Sequence, residues 1–296
     1  MPEEPRLSII VPSYNSRKTI ERCLESLKDQ NTNKDFEIIV VDSSTDDSVK
    51  FIEERFPKVR LYRFSERKFA GGARNFGISA AKADIIAFID ADCTADRNWV
   101  DEILKAHQSP HLAIGGSITN ANPDSYIGWA SYFCEFSQWM PNSPTTLLTD
   151  VAGANMSYKR KTLEEFGYFI EGTYCSDTDF HWRLQQRGYR LRFMPSILVR
   201  HHNINSFKRF LGHEYNHGRD FAQVCVKSKN FSKLKRFIYA FCFSLIAVKL
   251  FLKISLINFE NRIFLLHFFK ALPLLMLGLI SWSFGECVGY VKARRI

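Results

Sequence analysis

At 296 residues, 46% hydrophobic and 24% charged, the chain has room for one large domain and a smaller one, and its composition excludes global disorder. A formal charge of +9 points to anionic partners: nucleotides, a membrane surface or nucleic acid. Seven cysteines, an odd number without C-x-x-C spacing, exclude a disulfide framework or a cysteine zinc site and fit reduced thiols facing the cytosol.

The acidic opening Met1-Pro-Glu-Glu-Pro-Arg6 predicts no signal peptide. Leu7–Pro12 reads as a short apolar strand, followed by Ser13-Tyr-Asn-Ser16 as turn and cap, then a helix with Ile20, Leu24 and Leu27 on one face. Phe36–Asp42 is a second buried strand ending in a carboxylate, and the polar run Ser43–Ser48 opens a helix burying Val49, Ile52 and Phe56. Val59–Phe64 alternates as a strand. The Gly71-Gly72 turn leads into a small-residue helix through Ile78 and Ala81, and Ala83–Asp90 is a fourth strand, with a helix carrying Val100, Ile103 and Leu104 behind it. This alternation predicts an α/β fold, a Rossmann-like, mostly parallel sheet with helices on both faces.

Regularity fades near residue 110. His111–Ile118 reads as a strand, and residues 123–150, rich in aromatics, as a helix plus a loop over a cleft. Gly153–Tyr158 is a small strand and Lys161–Phe166 a helix stopped at Gly167. Asp177–Arg187 is a helix closed by Gly188, and Tyr189–Phe193 and Ile197–Arg200 are strands ending at His201-His202. Beyond lies a basic stretch, then two apolar segments, Phe237–Ile257 and Ile263–Phe284, each about as long as a membrane span. Lys249 and Lys253 interrupt the first, which favours an interfacial position for it. Positive residues at both outer ends, Lys233–Arg236 and Lys292–Arg295, predict a hairpin with both ends cytosolic. Three parts follow: a catalytic domain (1–205), a basic helical linker (206–236) and a membrane-associated helical hairpin (237–296).

Asp90 and Asp92 end the fourth strand and, two apart, face the same side of an extended chain. Two hard oxygen donors there suit Mg²⁺ or Mn²⁺ shared with substrate phosphates. Carboxyl ends of parallel strands are where open α/β sheets bind ligands, so Asp42, the paired glycines with Arg74, and Asp90/Asp92 converge on one crevice. A carboxylate for ribose or base, glycines for close approach and a guanidinium for phosphate describe a nucleotide-diphosphate site.

Ser8-Ile-Ile-Val-Pro-Ser-Tyr-Asn15, Val41-Asp-Ser-Ser-Thr-Asp46, Gly72-Ala-Arg-Asn-Phe-Gly77 and Ile89-Asp-Ala-Asp92 resemble the successive motifs of family 2 glycosyltransferases with the GT-A fold, over about residues 6 to 205. The resemblance implies a nucleotide-sugar donor and inversion at the anomeric carbon. It puts Pro12, Tyr14 and Asp42 at the nucleoside, Arg74 and Asp90 at the ribose and phosphates, and Asp92 at the metal. His201 follows as a further metal or diphosphate ligand. The family's Glu-Asp before a helix is here Ser176-Asp177, which assigns the catalytic base to Asp177, with Asp179 as the alternative. His213 and His217, four apart without an H-E-x-x-H pattern, read as a solvated helix face. No Q-x-x-R-W motif follows the base, so transfer of a single sugar is expected, not polymerisation. The expected protein is a metal-dependent (Mn²⁺ or Mg²⁺) transferase at the cell membrane, with its catalytic domain on the cytoplasmic side. Its acceptor is lipid-linked or otherwise membrane-bound, and nucleic acid is not a partner. A nucleotidyltransferase, or a weakly active GT-A nucleotide-binding scaffold, is the competing reading.

Overall fold

The structure, a computed structural model, describes residues 4–293. Arg294 and Arg295, two of the expected flanking charges, lie outside the described residues. The chain divides into two compact units, one of residues 1–119 and 143–201, the other of residues 120–142 and 202–296. The boundary expected at residue 205 therefore leaves 120–142, part of the second unit, on the catalytic side.

The first unit is built on a mixed sheet. Strands β1 (Leu7–Ser13), β2 (Phe36–Asp42), β3 (Arg60–Arg63) and β4 (Ile85–Ile89) run parallel in the order β3-β2-β1-β4. Between them lie α1 (Ile20–Lys28), α2 (Ser48–Arg55) and α3 (Ala70–Ala80). Helix α1 buries Ile20, Cys23, Leu24 and Leu27, the face its spacing predicts. Gly71 and Gly72 lie within the first turn of α3 and not in a turn before it. A Cβ on Gly77 would come within 2.5 Å of Ile10, so this glycine lets α3 press against β1.

Past β4 the parallel pattern stops. Three-residue β5 (Cys93–Ala95), invisible to periodicity at that length, precedes α4 (Trp99–Ala106). Strand β6 (Ala113–Asn120) follows, then α5 (Tyr126–Phe136), which belongs to the second unit, β7 (Thr146–Leu148) and β8 (Asn155–Lys159). Helices α6 (Arg160–Phe166) and α7 (Ser176–Gln186) lead to β9 (Leu191–His201). Strand β8 pairs antiparallel with β4 and β6, and β9 pairs antiparallel with β5 and β7. Where two strands were expected on either side of Pro195, β9 is a single 11-residue strand. The proline removes one donor without ending the strand. Ile10, Val41, Phe88, Met156, Tyr158 and Phe180 are buried in the core behind the site.

The second unit is helical: α5, α8 (Phe207–Ser228), α9 (Lys233–Phe241), α10 (Phe243–Asn261) and α11 (Leu265–Lys292). Helices α8 and α11 meet along a glycine seam. A Cβ on Gly218 would lie 2.2 Å from the Trp282 carbonyl, and one on Gly285 or Gly289 would lie 2.1 Å or 2.3 Å from the Tyr215 or Arg219 carbonyl. Gly285 and Gly289 form a G-x-x-x-G pair, the spacing that lets membrane helices approach closely. Helix α11 is long and apolar enough to cross a membrane. Helices α9 and α10 pass the same test only together, bent by 68° at their junction.

Candidate active site

Pairing of β1 with β2 sets Ser13 beside Asp42, and pairing of β1 with β4 brings the Asp90–Asp92 turn alongside. The carboxyl ends of three parallel strands thus form one rim, the position at which such sheets take ligands.

At one end of the rim, the buried Asp42 carboxylate accepts from the Ser13 hydroxyl, from the Ser44 hydroxyl at 2.9 Å and from the Ser44 N–H at 2.7 Å. Asn15, in the left-handed region at φ +52°, accepts from Thr45 N–H at 2.8 Å and donates its own N–H to Ser44 Oγ. Asp42 therefore ties the β1 loop to the β2 loop. Beside it, Pro12 is half-buried and Tyr14 is 40% exposed. The Arg67 guanidinium lies 4.4 Å from the Tyr14 ring centre and 4.6 Å from that of Phe69. Arg67 carries no sequence signal, since it reaches the site only through this stacking.

In the middle, the buried Arg74 donates through Nη2 to Asp90 Oδ1 and to the Gly153 carbonyl, both at 3.1 Å. Burial pushes the Asp90 carboxyl above its ordinary value against the lowering pull of Arg74, and Asp92 adds to the rise. Asp92 Oδ1 is buried with no hydrogen-bond partner and lies 3.4 Å from His201 Nε2. The contact follows from register, because β5 continues from the acidic turn and its Cys93 pairs with His201 of β9. Asp92, Cys93 and His201 each offer an atom within 4.8 Å of the others. Burial, then Asp92, drives the Cys93 thiol well above its ordinary value. An orphaned carboxylate oxygen beside an imidazole fits a divalent cation.

At the other end, α7 starts from Cys175, itself left-handed at φ +59°. A Cβ on Gly153 would stand 2.6 Å from Asp177 Oδ2 and 2.8 Å from Arg74 Nη2. Asp177, Arg74 and, through Arg74, Asp90 are thus gathered round one Cα. Asp179 is buried and bound to Arg183 at 3.1 Å, which occupies it in holding its own helix. The paired glycines do not face an open cleft. A Cβ on Gly71 would meet the Ile170 carbonyl at 2.1 Å and one on Gly72 would meet Glu171 at 3.0 Å, so they seat α3 under the 170–176 segment. Sequence reasoning also missed a buried chain behind Asp177. His181, one turn along α7, sits between the Asp150 carboxylate and the Tyr158 hydroxyl, the latter at 2.5 Å.

Residues 8–167 match the family described as Glycosyl transferase family 2. The chain is 25% identical over 228 residues to a glycosyltransferase, AglE, of Haloferax volcanii, covering 74% of each. It is 25% identical over 263 residues to a dolichyl N-acetyl-α-D-glucosaminyl phosphate 3-β-D-2,3-diacetamido-2,3-dideoxy-β-D-glucuronosyltransferase of Methanococcus voltae, covering 82% of this chain and 80% of that one. Among solved structures, the mannosyltransferase PcManGT of Pyrobaculum calidifontis, in complex with GDP-Man and Mn²⁺, superposes with a TM-score of 0.62 at 19% identity, over 96% of this chain and 88% of that one. At that identity the likeness is one of fold.

Proposed function

The chain belongs to glycosyl transferase family 2 and is a glycosyltransferase, and from that premise we propose that it moves one sugar, with inversion, from a nucleotide-diphosphate sugar to a lipid-linked acceptor. The observation that carries this reading is the gathering of Asp177 and Arg74 around Gly153, with Arg74 in turn holding Asp90. A candidate base then stands next to the groups suited to the leaving diphosphate.

In this reading the nucleoside lies along Pro12–Tyr14, in a loop that Asp42 holds through Ser13 and Ser44, with the exposed Tyr14 ring available for stacking. Arg74 orients the diphosphate and keeps Asp90 in place. Asp92, His201 and Asp90 would hold a divalent cation, which when bound offsets charge on the departing diphosphate. Asp177 takes the proton of the acceptor hydroxyl. As the new glycosidic bond forms, the anomeric carbon–phosphate oxygen bond breaks on the opposite face, and the nucleotide diphosphate leaves.

The membrane part rests on the helical unit. Most of the exposed large apolar side chains lie between Leu234 and Val291, including Phe237, Phe241, Leu245, Leu256 and Leu266. Surface of that kind is suited to lipid, not water. Lys233, Lys235 and Arg236 at the entry to these helices, and Lys292 at the exit, favour a cytosolic position for both ends. The Methanococcus relative's dolichyl-phosphate substrate supports an acceptor of the same class.

The test is transfer by the full chain in nanodiscs with Mn²⁺, using a panel of nucleotide sugars and either a polyprenyl-linked or a soluble acceptor. A lipid-linked product is expected from one donor, and Asp177→Asn is expected to lower its rate by about 10²–10⁴-fold with donor binding retained. Equal rates on the soluble acceptor would remove the lipid claim, and full activity of Asp177→Asn would remove the base.

A further inference from the structure

The helical unit contains a second cluster of metal-binding side chains, unrelated to the crevice. His213 and His217 are one turn apart on α8 and face the same way, with ring centres 5.6 Å apart. Glu135 reaches them from α5, its Oε1 lying 3.4 Å from His213 Nε2. One ligand atom from each of Glu135, His213 and His217 lies within 4.8 Å of the other two. In a tetrahedral zinc site with bonds of about 2.0–2.1 Å, ligand atoms stand about 3.3 Å apart. Glu135 and His213 already stand at about that spacing, at 3.4 Å.

A separate observation makes this more than two histidines near an acid. Glu214 is 1% exposed, and neither of its carboxylate oxygens has a hydrogen-bond partner. Its charged neighbours are Glu135 and His213. A buried carboxylate without a donor is costly, and a second carboxylate beside it raises the cost. A cation held by Glu135 and the two histidines would offset both. Two imidazoles with one carboxylate form a borderline donor set, suited to a first-row divalent ion such as Zn²⁺ and less to Mg²⁺. The outer contacts are in place: Ser131 Oγ donates to Glu135 Oε1 at 3.3 Å, and the His217 ring packs on Trp282 of α11 at 4.7 Å.

We propose that Glu135, His213 and His217, with Glu214 as a charge partner, form a structural site for a zinc-class divalent cation that fastens α5 to α8. The site joins residues 120–142 to the C-terminal helices inside one compact unit. It does not depend on the proposed transfer reaction.

The test counts Zn²⁺ on the metal-stripped full chain in detergent by equilibrium dialysis. Wild type is expected to bind about two ions, Asp92→Asn about one, and Asp92→Asn combined with His217→Gln none. In the Asp92→Asn chain, Zn²⁺ should raise Tm, and Co²⁺ should give the visible bands of a tetrahedral site. Both signals should weaken in Glu214→Gln, and circular dichroism checks that each variant is folded. If His217→Gln does not fold, the Co²⁺ spectrum of the Asp92→Asn chain still decides. An Asp92→Asn chain that takes up no Zn²⁺ and shows no Co²⁺ bands would overturn the site, as would a folded double variant that still binds one ion.

Discussion

At the residue scale, the two carboxylates at the start of α7 differ in what already holds them. Asp179 is committed to Arg183, whereas the Asp177 carboxylate stands beside Gly153 and Arg74. Asp179→Asn should therefore cost stability more than chemistry, losing a partly buried charge pair worth about 1–3 kcal/mol, with kcat within a few-fold of wild type. Gly153→Ala should do the reverse. Its methyl would overlap both Asp177 Oδ2 and Arg74 Nη2, and a shift of about 1 Å in a reacting group can cost about 10²-fold in rate. Steady-state kinetics and thermal melts on both variants separate these effects, and a Gly153→Ala enzyme of normal kcat would disconnect Asp177 from the chemistry. Asp42, Asp90 and Asp92 were legible as a group because each follows a recognisable buried strand. The meeting of Asp92 with His201 was legible only through the family resemblance and not from periodicity, because it depends on pairing two strands about a hundred residues apart, one only three residues long. Gly153 was not legible, since its role lies in the side chain it lacks.

At the element scale, the parallel half of the sheet could be read from apolar runs and turn residues. In the antiparallel half the strands that became β6, β8 and β9 could be read, but the short β5 and β7 and the antiparallel pairing could not. The joints of that half are single buried polar groups. Asn155 of β8, almost fully buried, donates to the Ser117 carbonyl of β6 at 2.9 Å and to the Ile197 carbonyl of β9 at 2.8 Å, and it accepts from the Trp99 indole of α4 at 2.9 Å. Asn155→Leu would strand three buried groups and should destabilise by about 3 kcal/mol or more. A Tm unchanged by that substitution would show that water fills the role. Two residues along β8, Ser157 holds His107 of the α4 C-cap at 2.9 Å. Burial, with a smaller push from Lys159, lowers His107 from 6.5 to about 3, so the folded chain resists a proton that the unfolded chain accepts near 6.5. Stability from this group is full above pH 6.5 and falls as pH drops toward 3, by up to about 1.4 kcal/mol per pH unit. Stability measured across that range should fall less steeply in His107→Gln than in wild type. Parallel slopes would mean that the buried histidine does not control the acid limb.

At the scale of the whole molecule, sequence periodicity and contact topology divide the chain differently. The family resemblance extends to about residue 205, and a cut there looks harmless. Yet the aromatic segment that defied periodicity, residues 120–142, packs within the helical unit. The Trp129 ring lies 4.9 Å from that of Phe264 and 4.3 Å from that of His267, and Phe133 lies 5.4 Å from Phe268. The segment shows no clean amphipathic stripe because α5 is buried nearly all round, with Trp129, Tyr132, Phe133 and Phe136 all inside. A chain ending at residue 205 would expose these rings, each leaving about 150–250 Å² without cover. It should be aggregated or detergent-dependent on size-exclusion chromatography despite an intact catalytic sequence. Replacing residues 120–142 with a short polar linker in that truncated chain should restore a soluble α/β unit. If the chain ending at 205 were monomeric in plain buffer, the aromatic segment would have another partner in the first unit. If the linker version failed to fold, the segment would be supporting the sheet as well as the helices.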